Sequence, residues 1–408
     1  MSGDGLISVE EALTRLLSGA VPLRSEDIAL SRANGRVLAR DLAAHRDQPP
    51  FPASAMDGYA VRAEDIAAPP AHLTVIGEAP AGHAFNGRVG PGEAVRIFTG
   101  APVPEGADTI LIQENATREG ERVTVLEAAA PGRFIRAAGL DFAQGEVLLA
   151  QGRRLGFREL ALAAAMNHGS VSVHRKPKVA VLATGDELVA PGGDPAADQI
   201  IASNDTGLAA FVEDCGGEAI MLGIARDTHE ALAERIRAAQ AAGADILVTL
   251  GGASVGDHDL VQDALGNAGM DLSFWRIAMR PGKPLMAGRI DNMRVLGLPG
   301  NPVSSLVCAL LFLKPLILAL SGHPDAARPR REMLPLASPV PANDRREDYL
   351  RASLVFGDDG VERVQPFERQ DSSMLATFAR ADALVVRPPH AKALEPGAPV
   401  PVLRLHRG

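Results

Sequence analysis

Between Pro177 and about Gly322, four short apolar runs recur at wide intervals: Lys178-Val-Ala-Val-Leu-Ala-Thr184, Glu218-Ala-Ile-Met-Leu-Gly-Ile224, Asp245-Ile-Leu-Val-Thr-Leu250 and Arg294-Val-Leu-Gly-Leu298. The stretches between them carry helical spacing instead. After Ser203-Asn204-Asp205, the apolar residues Leu208, Phe211, Val212 and Cys215 fall at i, i+3, i+4 and i+7, and Gly216-Gly217 can end that helix. A second helix is expected from Asp227 or Thr228 to Ala242, with Leu232, Ile236 and Ala239 facing inward. Strand runs that alternate with helices leave few solutions, and the simplest is a Rossmann-like parallel sheet covered by helices.

The flanking sequence has a different rhythm. At 408 residues the chain is too long for one ordinary core, and its 46% hydrophobic content suits a mostly folded protein of two to four domains. Residues 8 to 18, Ser-Val-Glu-Glu-Ala-Leu-Thr-Arg-Leu-Leu-Ser, read as an amphipathic helix with Ser8 as its N-cap. From about Pro49 to Val147, short apolar runs around Leu73, Val95, Ile110 and Val123 alternate with Gly- and Pro-bearing turns, the pattern of a small β domain. Helix returns at Phe157 to Met166, so this β segment reads as an insertion. The expected fold is therefore multidomain α/β plus β. A helical/mixed N-terminal domain takes residues 1–46 and 141–176, the inserted β domain 47–140, the α/β domain 177–326 and a C-terminal β domain 327–408.

Charge and composition exclude several function classes. A net charge of -9 argues against nucleic acid as the main partner, because phosphate backbones are held by clustered Lys and Arg. Cys215 and Cys308 fit neither a zinc pattern nor a disulfide framework and are expected to pack as small apolar residues. The N-terminal residues show no basic segment followed by an apolar run, which points to a cytoplasmic protein. The one membrane-like run, Val303 to Leu320, is short for a span and is broken by Lys314-Pro315, so a buried helix ending or kinking near the proline is expected rather than a membrane helix.

In an open parallel sheet, ligands bind outside the carboxyl ends of the strands, so the loops there belong together. They are Thr184-Gly185-Asp186-Glu187, Ala225-Arg226-Asp227, Gly251-Gly252 through Asp257 and Asp259, Arg280-Pro281-Gly282-Lys283-Pro284, and Leu298-Pro299-Gly300-Asn301-Pro302. Glycines let backbone N–H groups approach a phosphate, whereas carboxylates repel it. The conflict is resolved by a hard divalent cation between them, since Mg²⁺ is typically held by one or two carboxylates plus phosphate oxygens. Neither a P-loop nor a dinucleotide fingerprint is present. Each acid also has a bland role. Asp227 with Glu230, and Asp259 with Gln262, fit a capping box worth about 1 kcal/mol.

Read together, these loops resemble the molybdopterin molybdenumtransferase family, to which the enzymatic domain of gephyrin belongs. In the α/β region the resemblance rests on Ala183-Thr-Gly-Asp-Glu-Leu188, Ser203-Asn-Asp-Thr206, Gly251-Gly-Ala-Ser-Val-Gly-Asp-His-Asp259, Arg280-Pro-Gly-Lys-Pro284 and Leu298-Pro-Gly-Asn-Pro-Val-Ser304. In the inserted region it rests on Ser54-Ala-Met-Asp-Gly-Tyr-Ala60 and Arg96-Ile-Phe-Thr-Gly-Ala-Pro-Val-Pro104. It implies an elongated homodimer whose cleft lies between the inserted domain of one subunit and the α/β and C-terminal domains of the other. It also implies a reaction in which adenylated molybdopterin and molybdate meet Mg²⁺, AMP is released, and molybdenum stays on the dithiolene. A molybdopterin adenylyltransferase is the implied delivery partner.

The resemblance implies catalytic roles for Asp57, Thr99, Glu187, Asp227 and Asp259, and metal ligation by Asp227, Asp257 and Asp259. It implies substrate or molybdate binding by Gly251, Gly252, Ser254, Arg280, Lys283 and Ser304, completed by Arg351 and Ser372 or Ser373. Arg136 and Asp141 fit a further family pattern and, equally, a structural ion pair at the domain junction. The chain departs from the usual pattern at Arg280, where lysine is common, and at Ala53, Leu250 and Ala253. Two other classes compete: a binding or scaffold protein, and a nucleotide-processing enzyme of the preceding adenylyltransferase type.

Overall fold

The structure, a computed structural model, describes residues 6–251, 260–324, 326 and 330–405. The four anticipated runs are strands: β1 (Lys178–Thr184), β2 (Glu218–Ala225), β3 (Ile246–Leu250) and β6 (Met293–Leu298), with β4 (Asp271–Trp275) and β5 (Met286–Ile290) intervening. They form one sheet in the order β2-β1-β3-β6-β5-β4. The first four are parallel, and β5 and β4 extend the sheet in antiparallel fashion. The sequence did not reveal that antiparallel edge, because Gly288 and Arg289 interrupt β5 and three of the five residues of β4 are exposed.

Both faces of the sheet are apolar, as a covered parallel sheet requires. Val179, Val181 and Val248 face one core together with Leu208 and Val212 of the helix Asn204–Asp214. Ala180, Leu182 and Leu247 face the other, with Leu232 and Ile236 of the helix His229–Ala241 and Leu265 of the helix Leu260–Asn267. The long apolar run forms a buried helix, Pro302–Leu320, packed into the first core. It does not end at Pro315. The turn Ala309–Leu313 is π-helical, and this wider turn lies where the proline ring would strike the carbonyl four residues back.

The helix Val9–Leu17, with Ser8 accepting from the Glu11 N–H at 3.1 Å, forms as the sequence indicates but packs elsewhere. Val9, Ala12 and Leu16 enter the α/β core instead of the N-terminal mixed core. Arg294 on β6, 6% exposed, fixes it by donating to the Leu16 and Ser18 carbonyls at 3.1 and 2.8 Å. The mixed core draws on both sides of the insertion: Ser25–Ala29 pairs with Ser170–His174, and Leu42–Ala43 with Val147–Leu149. The inserted segment builds a six-stranded sheet with two clusters of its own, and neither contains a residue of the α/β domain.

The C-terminal sheet is not independent. Tyr349, Leu384, Val386 and Leu403 contribute to the α/β core. In addition, the short strand Met279–Arg280 leaves the α/β domain to pair in parallel with Glu347–Phe356. Arg294→Ala removes a charged donor from two carbonyls, so a loss of about 1.5–3 kcal/mol is expected in urea unfolding. Faster amide exchange across Val9–Leu17 is the local sign of it.

Candidate functional site

The strand order places a switch point between β1 and β3, because the chain moves outward from β1 to β2 and then returns across it. The helices that follow β1 and β3 lie on opposite faces, which opens a crevice at the carboxyl ends of those strands. All five loops singled out in the sequence emerge on this edge. Trp275, the last residue of β4, pairs with Met286, which pairs with Gly297 next to the end of β6. The Arg280–Pro284 loop therefore shares the edge with the loops after β1, β2, β3 and β6. Gly252, Ser254, Asp257 and Asp259 lie outside the described residues.

Gly251 opens the crevice and has a steric reason to be glycine. Its φ is +96°, and a Cβ would stand 2.9 Å from the Thr184 carbonyl oxygen. Its N–H donates to the Leu298 carbonyl at 3.2 Å, so this donor is spent inside the fold. The loops also tie to one another. Asn204 donates to the Gly300 carbonyl at 2.7 Å, and Asn301 donates to Ser372 Oγ at 3.1 Å. Of the two candidate serines it is Ser372 that meets the Pro299–Pro302 loop, while Ser373 Oγ turns to Asp371 at 2.6 Å. Ser304 is buried in the first turn of the helix behind that loop.

At the other side of the crevice stand Asp186, Glu187 and Asp227. The N–H of Asp227 donates to Asp186 Oδ1 at 3.3 Å. Burial raises the Asp227 pKa above the ordinary carboxylate value; the Asp186 and Glu187 charges add to this, and a backbone hydrogen bond at Asp186 opposes it. The capping expectation for Asp227 is corrected. Thr228 is the N-cap, its Oγ1 accepting from the Ala231 N–H at 3.2 Å, so the Asp227 carboxylate has no capping duty.

The cationic loop is built across a domain seam. Arg280 pairs with Asp348 through Nη2, reaches Asn343 Oδ1 at 3.4 Å and Asp344 Oδ2 at 3.5 Å, and keeps a side chain 47% exposed. Burial pushes the Asp348 carboxyl up while Arg280 opposes the shift. Asp344, bonded to Arg346 at 2.9 Å, is pulled down to about 2. The Lys283 ammonium has no hydrogen-bond or ion-pair partner among the described residues. Arg351 is buried behind the seam, donating to Gln370 Oε1 at 3.0 Å and the Asp371 carbonyl at 2.8 Å. The sequence reading missed Asp348, although the charged run Asp344-Arg-Arg-Glu-Asp348 at the start of a strand was a visible signal.

In the inserted domain, Asp57 and Thr99 form a pair. Asp57 Oδ1 accepts from both the N–H and Oγ1 of Thr99 at 2.8 Å, and these bonds hold its carboxyl below the usual range, with nearby Arg96 adding to the effect. Gly58 permits the arrangement: a Cβ there would lie 2.0 Å from the Leu111 carbonyl oxygen. Arg136 and Asp141 form no ion pair; Arg136 lies on a strand paired with Ala53, and the Asp141 N–H donates to the Gln48 carbonyl.

Among the described residues, no three His, Cys, Asp or Glu side chains gather to hold a metal. Asp227 is the one anticipated metal ligand that is described. The donor chemistry fits a hard cation, since the acids crowded there all offer carboxylate oxygen and a divalent ion would relieve their repulsion. A carboxyl whose pKa is raised on folding destabilises above that pKa, and the penalty fades as pH falls through it toward the ordinary value. Asp227→Asn is therefore expected to melt higher than wild type at neutral pH, with the gain shrinking as pH falls. Melting curves across pH check this.

Three family models match the chain in order. They are the MoeA N-terminal region (domain I and II) over residues 7–167, a probable molybdopterin binding domain over 180–319, and the MoeA C-terminal region (domain IV) over 333–405. A molybdopterin molybdenumtransferase of Nostoc sp. is 38% identical over 388 residues, covering 93% of this chain and 89% of that protein. One from Haemophilus influenzae is 34% identical, covering 93% and 94%. The crystal structure of a molybdopterin biosynthesis MoeA protein from Pyrococcus horikosii superposes with a TM-score of 0.83 at 33% identity, covering 99% of this chain and all of the other. The chain belongs to the molybdopterin molybdenumtransferase family.

Proposed function

We propose that this protein is a cytoplasmic homodimer that inserts molybdenum from molybdate into adenylated molybdopterin, releasing AMP in a Mg²⁺-dependent step. The observation that carries this reading is the polarity of the sheet edge. Carboxylates Asp186, Glu187 and Asp227 follow β1 and β2, whereas Arg280 and Lys283 follow β4. Acids that form no ion pair among the described residues suit a metal-bridged phosphate, and an ammonium with no partner among them, in the same loop as a half-exposed guanidinium, suits a tetrahedral dianion.

Within that reading, bound Mg²⁺ would neutralise phosphate charge beside Asp227, with Asp257 and Asp259 as further candidate ligands. Glu187 and Asp259 would orient an attacking oxygen, and Gly252 and Ser254 are proposed oxyanion donors. Lys283, Arg280 and Ser304 would hold molybdate, with Ser372, Ser373 and Arg351 shaping the wall. The molybdopterin adenylyltransferase would supply the substrate. The direct test is to incubate the protein with adenylated molybdopterin, molybdate and Mg²⁺ and follow AMP. Molybdate-dependent release is expected; substrate binding without release would favour a binding protein instead.

Asp57 and Thr99 sit in a domain whose cores are separate from the α/β core. In a shared dimer cleft they would serve the partner's α/β site. Asp57→Asn and Asp227→Asn proteins, each inactive alone, should then complement when mixed through unfolding. Half of the dimers would be mixed, each with one intact site, so about a quarter of wild-type activity is expected. No recovery would mean that both residues act in the same chain's site.

A further inference from the structure

We propose that Asp348 is a positioning residue for the oxyanion site, holding one arm of the Arg280 guanidinium across the seam between the α/β and C-terminal domains so that the rest of the fork stays available to a tetrahedral dianion. The inference rests on the reading that the Arg280–Lys283 loop takes molybdate.

Two independent contacts join the pair. Arg280 and Asp348 are register partners in the parallel ladder between Met279–Arg280 and Glu347–Phe356, so backbone pairing sets their spacing before any side-chain contact. The side chains then close on each other through Nη2 and Oδ2. Asp348 is 4% exposed, and its other oxygen, Oδ1, has no hydrogen-bond partner among the described residues. A buried carboxylate with one unsatisfied oxygen is poor stabilisation; apolar residues of similar volume often replace buried ion pairs at no cost. Its presence is better explained by what it does to Arg280.

Arg280 is suited to such a hold. With Nη2 on Asp348 and Asn343 and Nη1 near Asp344, its Nε has no partner among the described residues. A guanidinium can be gripped at one edge and still present donors at another, which one lysine ammonium does less well. The local charge still favours an anion. Arg280, Lys283 and Arg346 are three cations against Asp344 and Asp348, and Asp344 is shared with Arg346 at 2.9 Å.

The test is direct molybdate binding by equilibrium dialysis, without pterin or nucleotide, for wild type, Asp348→Asn, Arg280→Lys and the double variant. Asp348→Asn is expected to weaken molybdate binding about tenfold, the lower end of what is lost when a supporting partner is removed. In the Arg280→Lys background the same change should matter by less than about twofold, because there is no fork left to orient. Unchanged or tighter binding by Asp348→Asn, or an equal loss in both backgrounds, overturns the assignment alone. Wild-type protein that binds no molybdate overturns both this and the molybdate reading. If Asp348→Asn does not fold, Arg280→Lys reads the same contact from the other side, and wild-type affinity in that variant overturns the proposal.

Discussion

The burial of the helix Pro302–Leu320 is the interaction on which the rest of the molecule depends. Val303, Val307, Leu311, Phe312, Leu313, Leu316 and Ile317 are all almost fully enclosed, and each such side chain contributes about 1.5–3 kcal/mol relative to exposure. Against that, a proline inside a helix costs about 3 kcal/mol, and the π turn ahead of Pro315 reduces even this. Burial wins easily, so the helix runs through its proline. It begins at the Pro299–Pro302 loop, and its first turn is therefore held against the sheet edge by the full length of the packed rod behind it.

That same core decides which parts of the site are rigid with respect to each other. The N-terminal helix, the sheet of β1 to β6 and the inner face of the C-terminal sheet pack into one cluster, and the strand Met279–Arg280 crosses from one sheet to the other. The cationic loop is thereby defined by two domains at once, which is why Arg280 finds its carboxylate partners beyond residue 340. The inserted domain stands apart from this arrangement. Its two clusters are self-contained, and its Asp57–Thr99 pair is preformed by local bonds.

Much of this was legible in the sequence, for identifiable reasons. Three of the four parallel strands, β1, β3 and β6, could be read because strands buried on both faces must be nearly continuous in Val, Leu, Ile and Ala, whereas the edge strand β2 is half-exposed and was legible from its apolar residues alone. The inserted domain's runs could be read from their turns. What could not be read depended on tertiary context. The helix Val9–Leu17 has a clear apolar face, but nothing local says which core receives it; the answer is held by Arg294, far along the chain. Asp227 and Thr228 compete for the same cap, and only the backbone shows that threonine takes it. Arg280 read as a free anion ligand because its acidic partners come from a different domain.

The distribution of charge along the edge restricts what can bind there. The acids follow β1 and β2 and the cations follow β4, on opposite sides of β3 and β6 in the sheet order, although the cationic loop leans back until Gly282 lies against Cys308 of the helix behind β6. A single compact anion is poorly placed to use both, because at the acidic end it would meet Asp186, Glu187 and Asp227, none of which forms an ion pair among the described residues, with only Arg226 of the same loop to offset them. The Gly251 N–H does not offset them, since it is already given to the Leu298 carbonyl. The edge instead suits an extended ligand with separated charges. The proposed nucleotide-bearing substrate and small oxyanion together have that form: one group would be reached through a cation and the other held by Lys283 and Arg280, so that the two ends of one sheet would perform two kinds of electrostatic work without opposing each other.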